Sequence, residues 1–333
     1  MSRKETIAAN AAMFSHARRH LESEGYVEIH VPRVVRASGA CENVNTLFEV
    51  SSGKDFTWFG SQSYLAQTGQ LYLEALVPTV GRVYCAGPSF RAEGAIDNRH
   101  LTEFQMIEIE LPSDFDGLLR EIEGVVVAIA RGMVSDHEAG KLTLSDESNA
   151  RLKECPQVFP KITYDEAIGI LKETGERIKW GDDISSAREK MLLEHFGKKP
   201  LFITRYPDPH WDHGREIEVE KFFNMLPDPE YKGRVLSADL ILPYGGEAVG
   251  SAARVHVADV MLSRLKNSRM FKRLLALGGS LEDFRWYTDM LEKNGSVPHA
   301  GCGFGMARIA QWILGTTDIR EAVVFPSNRA SLI

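Results

Sequence analysis

No helix sorts the residues of HLTEFQMIEIELP, at 100–112, into an apolar and a charged set, whereas a strand does so at once. With a period of two, Ile107, Ile109 and Leu111 fall on one face and Phe104, Met106, Glu108 and Glu110 on the other. Upstream, GRVYCAGPSFRAE reads as its partner strand, and GAIDN between them supplies the Gly, Asp and Asn of a hairpin connection. The same period puts Arg91 and Glu93 together at the end of the first strand, with Arg99 and His100 in the turn. A sheet with one greasy and one charged face is expected where the charged face lines a site or meets water. The residues leave both readings open. One is a solvated hairpin with cross-strand ion pairs. The other is an anion grip, in which arginine forks suit phosphate and Phe104 offers a platform for a planar base.

The remaining pattern extends this hairpin into a sheet. A helix is expected over 3–24 with Ile7, Ala11, Phe14 and Leu21 on one face, stopped by Gly25 and followed by the strand YVEIHVP, which Pro32 closes. SYLAQTGQLYLEALV reads as a turn entering a helix, and 114–137 and 183–196 read as surface helices. RVLSADLILPYGGEAVGSAARVHV gives two strands around a Gly-Gly turn. Helices at about 255–276 and 280–294 precede HAGCGFGMARIAQWILG, a glycine-rich approach to a helix from about Phe304. Strands outnumber βα units, so the expected class is α+β: a mostly antiparallel sheet flanked by helices in one large domain.

Composition narrows the function. Hydrophobic content of 44% with 26% charged residues is that of a soluble globular chain, and no apolar run is long enough to span a bilayer. The N-terminus has basic residues but no apolar stretch behind them, so the expected location is the cytoplasm, without a membrane partner. A net charge of -7 argues against a surface that is one nucleic-acid footprint, and no DNA partner is expected. Cys41, Cys85, Cys155 and Cys302 form no CxxC pair, so reduced thiols are expected rather than a zinc site or a disulfide framework.

Three further groups carry chemistry. Asp239 and Glu247 flank the LILPYGG turn, which can bring both carboxylates to one edge, where a hard cation such as magnesium would bridge to phosphate oxygens; strand-end acids without metal are the plainer reading. Arg254 lies beyond Glu247, and Arg308 follows GCGFGMA, whose small residues allow close approach. GCGFGMAR is not read as a dinucleotide loop, because no preceding strand or βαβ unit is evident. His210 and His213 sit in a Pro-rich loop with Trp211 and are read as ordinary loop residues.

Taken together, these pieces resemble the catalytic domain of class II aminoacyl-tRNA synthetases, in the aspartyl/asparaginyl subgroup, from about residue 3 to 326. GYVEIHVPRV resembles motif 1, FRAEGAIDNRHLTEF motif 2 and GCGFGMAR motif 3; any one is weak, but the ordered set is specific. The resemblance implies ATP as substrate, with Arg91 on the α-phosphate, Arg99 and Arg308 toward the γ-phosphate, Glu93 and Phe104 on adenine and His100 in support. It implies Mg2+ on Asp239 and Glu247, and a homodimer through the motif 1 segment. CENVNTLF resembles the stretch whose acid, Glu42, holds the substrate α-amino group. TGQLYLE resembles the asparaginyl pocket, with Thr68, Gln70 and Glu74 toward the amino acid and Arg254 on its side chain; an aspartyl enzyme would have lysine where Leu73 stands.

The chain also departs from the family. It begins at the helix before motif 1, without the N-terminal OB-type barrel that reads the anticodon, so residues 1–333 are expected to be one catalytic domain with an insertion at about 140–200. AVGSAAR replaces the usual Gly-Gly-Ser pattern, Ala307 stands for an acid, Ser327 for an arginine, and the loop at about 207–219 is long. The reading drawn from this is an AMP- and pyrophosphate-forming ligase that adenylates aspartate, asparagine or an analogue and transfers the acyl group to ammonia or another small amine. Two alternatives stand beside it: a truncated asparaginyl-tRNA synthetase charging tRNA, its anticodon domain lost or supplied by another chain, and a non-catalytic regulatory protein on a synthetase core.

Overall fold

The structure, a computed structural model, describes residues 2–36, 44–53, 58–210, 222–294 and 297–331. Helix α1 (Arg3–Ser23) starts at a capping box, in which the Ser2 hydroxyl accepts from the Glu5 N–H and the Glu5 carboxylate accepts from the Ser2 N–H. Short strands β1 (Val27–Glu28), β2 (Val34–Val35), β3 (Glu49–Val50) and β4 (Ser63–Leu65) follow, then short helices α2 (Gln70–Glu74) and α3 (Val77–Val80). The hairpin is β5 (Val83–Phe90) and β6 (Glu103–Leu111), followed by α4 (Phe115–Glu138). The next stretch holds α5 (Asp146–Lys153), β7 (Lys161–Thr163), α6 (Tyr164–Glu173), α7 (Ser186–His195) and β8 (Leu201–Thr204). Strands β9 (Ser237–Leu242) and β10 (Gly246–Ala253) precede α8 (Ala258–Asn267), α9 (Arg269–Ala276) and α10 (Arg285–Asn294). The chain closes with β11 (Ala300–Gly305), α11 (Met306–Leu314) and α12 (Ile319–Ala322).

The main sheet has eight strands in the order β1-β5-β6-β11-β10-β9-β8-β7. Its neighbours pair antiparallel except β1 with β5 and β7 with β8, at the two edges. This is the expected α+β architecture. A second sheet, β2-β4-β3, is small. On β6 the period of two works as expected: Ile107, Ile109 and Leu111 are buried with Leu118, Ile122 and Trp312 in one core, and the opposite face carries the charge.

Four local expectations are corrected. The buried face of α1 is Thr6, Ala9, Met13, Ala17 and Leu21, while Ile7 is 48% exposed. The reason is steric: Gly124 and Gly132 of α4 leave room for His20 and His16, and α1 lies close on α4 with the Ala9, Met13, Ala17 and Leu21 face turned into the core. Helix α4 is not a surface helix but the central one, burying Leu118, Ile122, Val126, Ile129 and Met133. GCGFGMAR is itself strand for its first half: β11 pairs with both β6 and β10, and the helix starts at Met306 rather than Phe304. Finally, α7 is not merely a surface helix, since Glu189 on it is buried against the β10 turn.

The stretch from 140 to 200 contributes β7, the last strand of the main sheet, and Tyr164, Leu171 and Leu192 to a separate apolar cluster that Ile203 of β8 joins. Among the described residues, no helix is long and apolar enough to cross a membrane. Ile122, with no exposed surface, ties α4 to the sheet, so Ile122→Ala is expected to cost about 3 kcal/mol in urea unfolding, with an unchanged slope.

Candidate active site

A cavity of about 390 Å³ opens over the charged face of the sheet, between β6, β10 and β11. On its floor Gly250 of β10 faces Gly303 of β11 in register, and the Met106 methyl lies over Gly303, where an added Cβ would stand 2.5 Å from Cε.

One end gathers arginines. Arg91 follows β5, and its N–H donates to the Thr102 carbonyl (2.9 Å), carrying the hairpin ladder past the last strand residue. Its guanidinium lies 5.5 Å from the centre of the Phe104 ring, and Glu93 lines the same wall. The turn is shaped by Asp97, whose Oδ1 accepts from the N–H groups of Arg99 (2.8 Å) and His100 (2.9 Å). His100 returns its Nδ1 to the Asp97 carboxylate (2.8 Å), so it braces the turn. Arg308, in the first turn of α11, donates Nη1 to the Gly245 carbonyl (2.8 Å) and Nη2 to the Arg99 carbonyl (3.0 Å). Burial, with Arg99 adding, lowers the Arg308 guanidinium from its ordinary value. Arg99 meets Glu189 of α7 at 3.2 Å.

Asp239 and Glu247 come from neighbouring strands. A Cβ on Gly250 would stand 3.6 Å from Glu247 Oε1 and 3.9 Å from Asp239 Oδ1, so both carboxylates converge over a position that the glycine leaves open. Two hard oxygen donors facing a phosphate-sized cavity suit magnesium held jointly with phosphate and water. Among the described residues no cluster of three or more His, Cys, Asp or Glu is placed to hold a metal ion. The turn between them is conformationally demanding: Tyr244 and Gly246 have φ of 67° and 66°, and a side chain on Gly245 would collide with the Arg308 carbonyl.

The other end is built from closed charge networks. The Thr68 hydroxyl donates to Glu108 Oε1, and the Gly69 N–H donates to Glu108 Oε2 (2.8 Å). Gln70 lines the cavity and donates Nε2 to Glu74 Oε1 (2.7 Å). Glu74 itself does not reach the cavity. It is fully buried one layer behind, accepting from the Asn224 amide (2.7 Å) and the Tyr287 hydroxyl (2.6 Å), with His299 Nε2 at 3.2 Å. This corrects the expected direct contact of Glu74 with an amino acid: α2 turns the side chain inward, where its acceptors are occupied. Arg254 is 4% exposed and donates Nε (3.1 Å) and Nη2 (2.7 Å) to Glu110 Oε1. Burial would raise the Glu74 carboxyl, but the His299 hydrogen bond and Arg254 outweigh it and hold it at about 2. Burial raises Glu110 to about 7, against Arg254 and with Glu74 adding. Glu189 is likewise pushed by burial to about 7, with Arg99 opposing and Glu247 adding.

Glu42, His213 and most of the 207–219 loop lie outside the described residues. His210 lies within them: its Nε2 meets the Arg264 carbonyl at 2.8 Å, a structural contact. Sequence reasoning passed over Glu108, Glu110, Glu189, Asn224, Tyr287 and His299. For the first two the alternating pattern was the available signal; the others carry no spacing that marks them out.

The family model for tRNA synthetases class II (D, K and N) matches residues 1–329. The chain belongs to that family. It is 38% identical over 289 residues to the asparagine--tRNA ligase of Pelotomaculum thermopropionicum, covering 86% of this chain and 61% of that protein. The first relatives are thus matched over less than two thirds of their own length. The asparagine--tRNA ligase of Thermococcus kodakarensis is 36% identical over 329 residues, covering 98% of this chain and 69% of its own. The crystal structure of asparaginyl-tRNA synthetase from Pyrococcus horikoshii, complexed with asparaginyl-adenylate, superposes with a TM-score of 0.83 at 32% identity over 99% of this chain and 70% of that one. The resemblance to the asparaginyl members therefore holds across nearly the whole class II chain.

The two raised carboxyls set a pH dependence of stability. A carboxyl whose pKa is raised on folding binds its proton more tightly in the native state. Its stabilising contribution is therefore full below the ordinary value of 4.5 and is lost as pH rises through about 7. Urea midpoints are expected to fall across that window, and Glu110→Gln is expected to make the fall shallower, leaving the part due to Glu189.

Proposed function

We propose that this chain condenses asparagine with ATP to asparaginyl-adenylate, releasing pyrophosphate, and passes the asparaginyl group to tRNA. A single observation carries the choice of substrate side chain. Among the described residues at the Thr68 end of the cavity, the guanidinium is that of Arg254, and it is already paired with Glu110 at 2.7 Å. Glu74 lies behind it at 4.0 Å, and Glu108 stands beside it on the same strand face. A side-chain carboxylate entering there would face three acids with the cation already engaged, whereas a neutral amide brings no charge to bury. The likeness to asparagine--tRNA ligases supports tRNA rather than ammonia or a small amine as the acceptor.

In this reading the substrate carboxylate oxygen forms a bond to the α-phosphorus and the bond to pyrophosphate breaks. Arg91 holds the α-phosphate and Phe104 the base, with Glu93 on its polar edge; Arg99 and Arg308 meet the terminal phosphates, and His100 braces their turn. Asp239 and Glu247 would hold Mg2+, which supplies charge neutralisation to the phosphates. Thr68 and Gln70 shape the amino-acid end, Arg254 meets the side-chain oxygen, Glu74 positions Gln70 and Arg254, and Glu42 would take the α-amino group. Positioning and charge complementarity carry the rate, and the enzyme forms no covalent bond to the substrate.

ATP–pyrophosphate exchange tests the reading. Asparagine is expected to support exchange about a hundred-fold better than aspartate, and Glu247→Gln to lower it by about as much. Exchange with aspartate alone would overturn the choice of substrate. Mass analysis of products with tRNA or with ammonium then identifies the acceptor. We also propose a homodimer through the motif 1 side, where Val27 on edge strand β1 and Val34 on β2 are 49% and 43% exposed. Solution scattering is expected to give twice the chain mass.

A further inference from the structure

Glu189 lies outside every motif of the chain, yet it is 6% exposed and touches the phosphate end of the cavity. Three guanidinium groups, Arg91, Arg99 and Arg308, line that end. Arg308 donates to two main-chain carbonyls, and Glu247 and Glu189 act on its charge from nearby. Arg99 rides on a turn that lies beyond the regular strands, and its guanidinium is 26% exposed, so its side chain has a route to water. Glu189 Oε2 holds it at 3.2 Å from the opposite wall. A Cβ on Gly246 would stand 2.5 Å from Glu189 Oε2 and 2.8 Å from Arg99 Nη2, so the residue before Glu247 is seated directly on this ion pair.

We propose that Glu189 is a positioning residue for the nucleotide: it holds the Arg99 fork at the terminal-phosphate end of the cavity. This rests on the adenylation reading and deepens it. A carboxylate supplied by α7 orders a long cationic side chain before the ligand arrives, so the ligand does not have to meet that ordering cost. Because the contact is to Arg99 and not to Arg91 or Phe104, its effect depends on how many phosphates the nucleotide carries.

The test is a binding and exchange series on the full chain with Mg2+, using ATP and AMP as probes, for wild type, Glu189→Gln, Arg99→Ala and the double variant. Glu189→Gln is expected to weaken ATP binding and raise its KM about ten-fold while AMP binding and the KM for asparagine stay put. In the Arg99→Ala background, Glu189→Gln is expected to add nothing, because its effect runs through that arginine. Glu189→Asp is expected to recover part of the loss. Equal weakening of ATP and AMP, no change in either, or additive effects in the double variant would each overturn the proposal and leave adenylation standing. A wild-type chain that binds no ATP would overturn both.

Discussion

The geometry of the phosphate end hangs on one guanidinium bridging two main-chain carbonyls. Arg308 sits at the start of α11, and its two terminal nitrogens hold Gly245, in the hairpin that carries Glu247, and Arg99, in the hairpin that carries Arg91. Two elements from distant parts of the chain are thereby set at a fixed separation by one side chain. Neutral carbonyls satisfy its N–H groups but not its charge, and burial with Arg99 nearby lowers it further. Glu247 and Glu189 act on that charge from nearby, so guanidinium and carboxylate groups are interleaved at this end, an arrangement that suits a polyphosphate held together with a cation.

The opposite end is built on the contrary rule. Arg254 is matched by Glu110 and flanked by Glu74, which is itself surrounded by Asn224, Tyr287 and His299. Almost every donor and acceptor there has a partner inside the protein, so charge is internally settled before anything binds. One cavity thus offers one end where arginines and acids stand side by side and another whose polar groups are paired within the protein.

Local order in the chain was readable where physics leaves a short-range imprint. The alternation at 100–112 placed Ile107 and Ile109 in the core and Glu108 and Glu110 on the cavity face, and the PYGG turn placed Asp239 and Glu247 on adjoining strands. Where contacts are long-range, the imprint vanishes. Nothing in the helix carrying Glu189 distinguishes it from a solvated acid, and only α7 packing against β10 buries it. Glu74 shows the same limit in reverse: the family resemblance of TGQLYLE suggested a wall residue, but Asn224, Tyr287 and His299, all distant in sequence, hold its carboxylate behind the wall. For α1, the glycines of α4 set how closely the helix can lie, which hydrophobic periodicity within α1 does not register.

Gly250 leaves a patch of peptide plane open on the cavity floor, beside Gly303, which the Met106 methyl covers. Ligand atoms can settle against the sheet itself, where amide positions are fixed by the ladder of hydrogen bonds rather than by rotamers. The clearance for a substrate is consequently a property of the backbone and varies as little as the strand spacing does. A chain built this way can change which molecule it accepts by altering the side chains at the rim, while the depth of the site stays constant.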